Sequence, residues 1–242
     1  MEHDPENAAR PAQQHLEWHE GDMPYSAEFG DHFYCRTDGR LECGHVFLAG
    51  NGLPERWTGG DDFTIGELGF GTGLNLCETV RQWRQTRGDA GNLHFISFER
   101  FPMQRGEIAR ALSNWPEIER ERAELTAHWP DAPDGTVTID FDSRTRLSVV
   151  CGTALESIET HPGRFDAWFL DGFAPSRNPD MWSLALMSAL FAHTVEGGSF
   201  ATYAAAGFVR RNLQTAGFSV ERRQGFAGKR EMLCGKKPVV GV

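Results

Sequence analysis

A glycine-rich turn between a strand-like and a helix-like segment constrains the fold of this chain more than any other feature. Residues 63–68 read FTIGEL, residues 69–73 read GFGTG, and residues 74–86 repeat apolar side chains at helical spacing. In layered α/β folds such a unit begins a parallel sheet, and its turn lies at the carboxyl edge where ligands bind. The unit therefore predicts an α/β fold with a ligand site beside the turn.

Strand-like and helix-like segments alternate through the rest of the chain. Strands are predicted at 93–99, 165–173 and 199–204, a hairpin over 136–152, and a closing strand pair after Gly217. Because helices separate most of these strands, the sheet is predicted to be largely parallel. We expect a flexible tail at 1–15, a β-rich lead-in at 16–61, the main part of the same domain at 62–237 and a tail at 238–242.

Composition and charge exclude several classes of protein. The 24 Lys and Arg residues against 34 Asp and Glu residues give a net charge of −10, which argues against a uniformly basic nucleic-acid coat. No run of eighteen apolar residues or secretory signal is present, so we expect no membrane span. Five cysteines without a CxxC pair favour reduced thiols and a cytoplasmic location. His15 and His19 lie four residues apart without a third candidate ligand nearby, so we expect no metal.

The glycine spacing indicates which ligand the turn binds. The turn reads GxGxG, with Glu67 two residues before Gly69, and it lacks the GxGxxG spacing of dinucleotide-binding folds. Backbone N–H groups around Gly69, Gly71 and Gly73 can hold a carboxylate, while Glu67 can face an ammonium group. This combination suits S-adenosylmethionine. The alternative is a glycine-rich strand–helix turn that binds no ligand.

Two further carboxylates follow strands at the same predicted edge. Glu99 ends the strand at 93–99, where doubly wound folds place an acceptor for ribose hydroxyls. Asp171 follows an apolar strand, where a carboxylate has to be solvated or paired. The loop after it, Asp-Gly-Phe-Ala-Pro, can form a pocket wall for a planar base. The alternatives are an exposed strand end at Glu99 and a turn cap at Asp171.

Basic residues concentrate near the end of the chain. Between residues 207 and 237, eight Lys and Arg residues stand against two Glu residues, whereas the rest of the chain is acidic. A local basic patch on an acidic body is typical of phosphate contact with a nucleic acid. The alternative is an ordinary solvated charged face.

Five stretches of the sequence resemble the methyltransferase domain of the MnmC family. These enzymes complete 5-methylaminomethyl-2-thiouridine at the wobble position of tRNA. The stretches are ELGFGTGLN (67–75), LHFISFERFP (93–102), DAWFLDGFAPSRNPDMW (166–182), AGFVRRNLQTAGF (206–218) and KREMLCG (229–235). The resemblance runs from about Trp18 to Gly235, nearly the whole chain.

The resemblance implies a class I Rossmann-like methyltransferase fold with a mostly parallel seven-stranded sheet and helices on both faces. It implies that Glu67, Gly69, Gly71 and Gly73 line the S-adenosylmethionine site, that Glu99 holds the ribose, and that Asp171 is catalytic. We also expect cofactor contacts at Asn75 and Thr153, and substrate contacts at Phe173, Pro175, Arg210, Arg211, Lys229 and Arg230. Phe173 is expected to stack on the flipped-out wobble base, and the basic residues are expected to hold phosphates of the tRNA anticodon arm.

Many MnmC proteins carry a second, FAD-dependent half that acts on the same modified base. This sequence contains no GxGxxG, so we expect it to methylate only, with a separate or fused FAD-dependent oxidoreductase as its partner.

Two positions depart from the family pattern. Thr153 stands where the family tends to have an Asp that accepts from the adenine amino group, and its hydroxyl can accept only weakly. Ala204 and Ala205 stand where hydroxyl residues are frequent. Three other functions stay open from the residues: a methyltransferase for a small-molecule amine, a non-enzymatic RNA-binding module and an NAD-dependent oxidoreductase.

Overall fold

A computed structural model describes residues 15–239 of the chain. A small antiparallel sheet comes first, with strands β1 (Leu16–His19), β2 (Met23–Ser26) and β3 (Asp31–His32) in that order. A helical segment follows, consisting of α1 (Gly39–Glu42), a π-helical turn over Cys43–Leu48 and two short 3-10 turns, Ala49–Asn51 and Glu55–Trp57.

The main sheet has eight strands in the order β10-β11-β9-β8-β4-β5-β7-β6. Its five central strands, from β9 to β7, run parallel, while β6, β10 and β11 pair antiparallel at the two ends. The strands are β4 (Phe63–Leu68), β5 (Leu93–Glu99), β6 (Thr136–Asp142), β7 (Thr145–Cys151), β8 (Phe165–Leu170), β9 (Thr194–Thr202), β10 (Ser219–Arg223) and β11 (Met232–Lys236).

Helices cover both faces of this sheet. They are α2 (Leu74–Thr86), α3 (Arg105–Ala111), α4 (Glu119–His128), α5 (Ala154–Glu159), α6 (Leu184–Ala192) and α7 (Gly207–Ala216). The neighbouring residues Trp168 and Phe169 show the two layers, because they point to opposite faces of β8. Phe169 joins the apolar core beneath α2, α3 and α4, and Trp168 joins the core beneath α5, α6 and α7. The predicted α/β class with a mostly parallel sheet is therefore confirmed.

The predicted strand number was wrong by one, since the sheet has eight strands instead of seven. The count of seven is what the resemblance implies, whereas the strand-like segments predicted from the sequence, with both arms of the hairpin over 136–152, number eight. The first arm of that hairpin, β6, alternates exposed and buried residues and pairs antiparallel with β7 at the sheet edge. This alternation is the pattern of an edge strand with one face on the core.

The predicted β-rich lead-in at 16–61 is β-structured only in its first part. The run His45–Gly50, HVFLAG, is helical and buries Phe47 and Leu48 against the main core. An apolar run without alternation fits a buried helix as well as a strand. Asp38 decides for the helix, because its carboxylate accepts a hydrogen bond from Leu41 N and caps α1.

Asn51 ties this helical segment to the sheet, since its side-chain amide donates to the carbonyl of Trp168. The predicted tails at 1–15 and 238–242 fall mostly outside the described residues. Within residues 15–239 no helix is long and apolar enough to span a membrane. The same part of the chain holds no group of three or more potential metal ligands, and His19 pairs with His32 at 3.0 Å.

Candidate active site

A cavity of about 990 Å³ opens at the carboxyl edge of the parallel strands. The loops that follow β4, β5, β7 and β8 form its floor and walls, and residues from 28 to 36 cover one side. The carboxyl edge is where open α/β sheets bind their ligands, because loops from neighbouring strands converge there. The sequence-predicted residues that line the cavity are Gly69, Gly71, Asn75, Glu99, Thr153, Asp171, Phe173 and Lys229.

The glycine-rich turn crosses the cavity floor in a conformation that side chains rarely adopt. Gly69, Gly71 and Gly73 have φ values of +80°, +54° and +77°. A Cβ on Gly69 would lie 3.4 Å from the Cα of Gly172 in the neighbouring loop, so the two loops approach closely. Helix α2 starts after Gly73 without a side-chain cap. Its first N–H groups are therefore available to an anionic group in the cavity.

Glu99 connects this turn to the loop after β5. One carboxylate oxygen accepts from Gly71 N at 2.9 Å, and the other accepts from Phe101 N at 2.7 Å. These two backbone donors fix the carboxylate at the cavity wall, where each oxygen keeps a lone pair for a further donor. This geometry suits an acceptor for a ribose diol, the role predicted for Glu99.

Asn75 lies between two carboxylates. Its Nδ2 donates to Glu67 Oε1 at 3.0 Å and to Asp171 Oδ2 at 2.9 Å, which uses both amide hydrogens. Glu67 itself is fully buried beneath the cavity floor, and burial raises its pKa well above the ordinary value. The predicted contact between Glu67 and the cofactor therefore has Asn75 between the carboxylate and the cavity.

Asp171 is the carboxylate that faces the cavity directly. It follows β8 and accepts from Gly172 N at 2.8 Å as well as from Asn75. Although the side chain keeps some exposure to the cavity, burial raises the pKa of Asp171 to about 7, against the lowering effect of these two hydrogen bonds. A carboxyl group with this pKa can both accept and release a proton near neutrality.

Thr153 directly precedes helix α5 beside the cavity and makes no side-chain capping hydrogen bond. Its hydroxyl donates to the carboxylate of Glu156, one turn further along the same helix, and both residues line the cavity. The Thr153 oxygen keeps an acceptor lone pair, and Glu156 places a full carboxylate next to it. The carboxylate that the family tends to have at position 153 is thus supplied by Glu156, three residues later in the sequence.

One face of the Phe173 ring is covered by another aromatic ring. Its ring stacks on Phe29 at 4.5 Å between centroids and meets Phe33 edge-on at 5.0 Å. Its φ of +35° is unusual for a residue with a side chain, and such strain is frequent at functional sites. Asp31 holds the covering segment in place by accepting from Ala174 N at 3.0 Å. A base can stack on the face that Phe29 covers only if Phe29 moves.

The predicted substrate residues fall into two groups. Phe173 and Lys229 line the cavity, whereas Pro175, Arg210, Arg211 and Arg230 lie outside its lining. The guanidinium groups of Arg211 and Arg230 are exposed and have no ion-pair or hydrogen-bond partner among residues 15–239. Arg210 is half-buried. Two further arginines of the basic patch, Arg222 and Arg223, pair with Glu231 and Glu221 at 3.3 Å.

Sequence reasoning missed Glu42 and Tyr203, which line the cavity near Asp171. Glu42 comes from α1, in a segment predicted as β-rich, so no pattern in the sequence placed it at the site. Tyr203 directly follows β9, and its position at a strand's carboxyl end was a usable signal. Burial raises the pKa of Tyr203 well above the ordinary value, and the Asp171 charge adds to this effect. Tyr203 therefore keeps its hydroxyl hydrogen.

Comparison with known proteins decides the family. The family model for S-adenosyl-L-methionine-dependent methyltransferases matches residues 116–238. The chain belongs to this family. The MnmC2 structure from Aquifex aeolicus superposes with a TM-score of 0.72 at 22% identity, covering 96% of this chain and 74% of that one. This structural likeness confirms the fold expected from the resemblance.

Curated relatives extend the comparison across nearly the whole sequence. The tRNA 5-methylaminomethyl-2-thiouridine biosynthesis bifunctional protein MnmC of Methylobacillus flagellatus is 44% identical over 228 residues, 93% of this chain and 35% of the relative. The protein of that name from Caulobacter vibrioides is 42% identical over 228 residues, 93% of this chain and 38% of the relative. The resemblance to the methyltransferase part of MnmC is confirmed. The chain spans about a third of the length of these relatives.

The cavity fits S-adenosylmethionine, the methyl donor of this family. Glycines 69, 71 and 73 allow the turn its positive φ values and its close packing, and the start of α2 supplies uncommitted N–H donors. Glu99 supplies acceptors on the adjacent loop, and Glu156 supplies a third carboxylate beyond β7. A cationic ligand with a carboxylate, a ribose and a purine amino group finds a complementary partner for each part.

Proposed function

We propose that this chain is a tRNA methyltransferase that converts 5-aminomethyl-2-thiouridine to 5-methylaminomethyl-2-thiouridine at the wobble position. The observation that carries the proposal is the position of Asp171. Its carboxylate projects into the cofactor cavity between Asn75 and Gly172, and 42–44% identity to MnmC relatives extends over the chain that builds this site. An aliphatic amine acceptor needs a carboxylate at this place, because it has to be aimed and relieved of a proton.

S-adenosylmethionine, held at the Gly69–Gly73 turn, Glu99 and the Thr153–Glu156 pair, supplies an electrophilic methyl group on sulfur. The acceptor arrives largely as an alkylammonium, which has no lone pair to attack with. Asp171 accepts one N–H proton and holds the nitrogen by a hydrogen bond. The nitrogen lone pair then forms the N–C bond while the C–S bond breaks and its electron pair stays on sulfur. Overall one methyl group moves and one proton is released.

Aromatic rings and exposed arginines around the cavity favour a nucleic-acid substrate over a small amine. Aromatic rings at Phe29, Phe33 and Phe173 stand at its mouth, and stacking on such rings is the usual way to hold an unpaired base. Arg211 and Arg230 offer uncommitted guanidinium groups for phosphates of the anticodon arm. A cytoplasmic site of action and an FAD-dependent oxidoreductase partner, separate or fused, belong to the same proposal, since the amine substrate has to be generated before it is methylated.

The proposal is tested by comparing kcat/KM on three acceptors: tRNA carrying 5-aminomethyl-2-thiouridine, the isolated anticodon stem-loop and the free nucleoside. We expect the tRNA and the stem-loop to be methylated at similar rates, and the free nucleoside to be poorer by at least about 100-fold because it lacks phosphate contacts. Equal efficiency on the free nucleoside would instead indicate a small-molecule amine methyltransferase.

A further inference from the structure

A charged cluster outside the predicted cofactor contacts lies on the cavity wall near Asp171. Lys229 Nζ lies 2.6 Å from Glu42 Oε1 and 4.8 Å from the centroid of the Tyr203 ring. Glu42 is only 7% exposed, so its carboxylate depends on this partner. All three side chains line the cavity that Asp171 enters. Lys229 stays 43% exposed, and these contacts place its ammonium group at the cavity lining.

The turn that carries Lys229 is fixed to the helical segment below it. His45 Nε2 hydrogen-bonds the carbonyl of Gln224 at 2.9 Å, and Lys229 N donates to the carbonyl of Phe226 at 2.9 Å. A side chain held at three points, by its backbone, by Glu42 and by the Tyr203 ring, is poorly suited to follow a phosphate at the surface. This placement differs from the role in phosphate binding that the sequence suggests for Lys229.

We propose that Lys229 is a positioning residue of the acceptor subsite, whose ammonium group, held by Glu42 and Tyr203, keeps the Asp171 carboxylate charged and disfavours the protonated form of the acceptor amine. This inference rests on the proposed function. It gives Lys229 a role in the transfer step, through Asp171, in place of a role in holding tRNA.

Charged groups of both signs surround Asp171. Opposite charge stabilises a carboxylate and like charge destabilises an ammonium. The Lys229 charge therefore keeps Asp171 ionised to lower pH and weakens the hold of the amine on its proton, while it makes Asp171 a weaker base. Burial and the Glu42 charge raise the pKa of Asp171, while Lys229 lowers it. The ionisable or polar groups around Asp171 are Asn75 of α2, Glu67 of β4, Glu42 and Cys43 of the first helical segment, Asp31 of β3, Tyr203 after β9 and Lys229.

The test is the pH dependence of kcat for tRNA methylation in Lys229→Met and Lys229→Arg. In Lys229→Met, which lacks the charge, the acidic limb of the kcat–pH profile should move to higher pH by about one unit. In Lys229→Arg, which keeps the charge, the limb should lie close to its wild-type position. If Lys229 holds a phosphate instead, Lys229→Met raises KM and weakens the salt dependence, and the acidic limb stays in place. That result would overturn the proposal.

Two further variants control for an unpaired Glu42 carboxylate and for the loss of one positive charge. In the double variant Glu42→Gln, Lys229→Met both opposing charges near Asp171 are lost and no buried carboxylate is left unpaired, so the limb should return close to its wild-type position. A limb that stays displaced in the double variant would contradict the electrostatic account. Arg120→Met is the matched control for loss of one positive charge, because its side chain is 69% exposed on α4 and lies outside the cavity lining.

A direct titration separates this inference from the proposed function. The carboxyl ¹³C signal of Asp171, assigned by its loss in Asp171→Asn, can be followed with pH in the substrate-free protein. We expect the Asp171 midpoint to rise by about one unit in Lys229→Met. An unchanged midpoint overturns the role of Lys229 even if tRNA is methylated. If wild-type protein leaves the tRNA unmethylated, the proposed function fails while the titration still tests the charge coupling.

Discussion

At the scale of single residues, the site is organised around one amide. Asn75 donates to Glu67 and to Asp171 at the same time, so the side chain that opens helix α2 orients the carboxylate that follows β8. Both carboxyl groups have raised pKa values because they are buried, and Asn75 partly offsets this cost by hydrogen bonding. The turn, the helix start and the candidate catalytic group therefore form one unit.

Replacing the Asp171 carboxylate by an amide should remove turnover and keep the cofactor site. We expect kcat of Asp171→Asn to fall by at least about 100-fold, because the amide cannot take up a proton from the amine. The affinity for S-adenosylmethionine, measured by calorimetry, should stay within about threefold, since Glu99 and the glycine turn are unchanged. Asp140→Asn, an exposed carboxylate on β6 that pairs with Arg146, is the control. Wild-type turnover in Asp171→Asn would exclude the assigned role.

The same substitution should make the protein more stable above neutral pH. The pKa of Asp171 is raised to about 7 in the folded state, so folding favours its protonated form. The folded protein therefore loses stability as pH rises from about 4 to 7, and the full penalty is present above 7. We expect Asp171→Asn to raise Tm by at least about 2 °C at pH 8 and to show no gain near pH 4. If Asp171→Asn has the same Tm as the wild-type protein at both pH values, the carboxyl group is not held in an unfavourable environment.

At the scale of elements, the small sheet at the start of the described chain closes the cavity. The turn between β2 and β3 carries Phe29 onto the ring of Phe173, and Asp31 anchors the turn to the loop after β8. The face of Phe173 that a base would use is thus already covered by a side chain of similar shape. Substrate entry requires the turn to open or Phe29 to change rotamer.

Substitutions at the two stacked rings should therefore have opposite effects. Phe173→Leu removes the stacking surface and should raise KM for tRNA by about tenfold, within the range measured for base–aromatic stacking. Phe29→Ala uncovers that surface and should lower KM, because the base no longer competes with a protein ring. Steady-state kinetics on the modified stem-loop measures both. A rise in KM of similar size in both variants would show that Phe29 is part of the base site and not its cover.

At the scale of the whole molecule, the chain is acidic and its positive charge is local. Much of the basic patch near the end of the chain is used internally, since Lys229 pairs with Glu42, and Lys237 donates to the carbonyls of Phe191 and Thr194. Arg211 and Arg230 are exposed and lack such partners among the described residues. Among the residues predicted to contact tRNA, these two arginines are the candidates for contacts with phosphate.

Charge reversal at Arg211 and Arg230 should weaken tRNA binding in a salt-dependent way. We expect KM for tRNA to rise and the slope of log KM against log salt concentration to become shallower by about two, one for each lost phosphate contact. The double variant Arg120→Glu, Arg146→Glu changes the net charge by the same amount at two exposed arginines outside the basic patch, on α4 and β7, and is the control. An unchanged salt slope in the variant with Arg211 and Arg230 reversed would place the tRNA elsewhere on the surface.

Sequence patterns predicted the central strands and helices of this molecule, and they did not predict how the first sixty residues fold over the sheet. The predicted strand at 63–68 and helix at 74–86 match β4 and α2, because a glycine-rich turn between an apolar strand and an amphipathic helix permits few alternatives. The helical segment around Phe47 was not predicted, since a short apolar run fits strand and helix equally well. The contributions of Glu42 and Phe29 depend on how the first sixty residues fold over the sheet, and local periodicity holds no information on that packing.

The most direct test of the account is nucleoside mass analysis of tRNA that carries 5-aminomethyl-2-thiouridine, incubated with this protein and S-adenosylmethionine. The account predicts a gain of one methyl group on that nucleoside alone, with no gain in a parallel reaction with Asp171→Asn. An unchanged nucleoside, with S-adenosylmethionine binding intact, would contradict the proposed acceptor and leave the fold and the methyl donor in place.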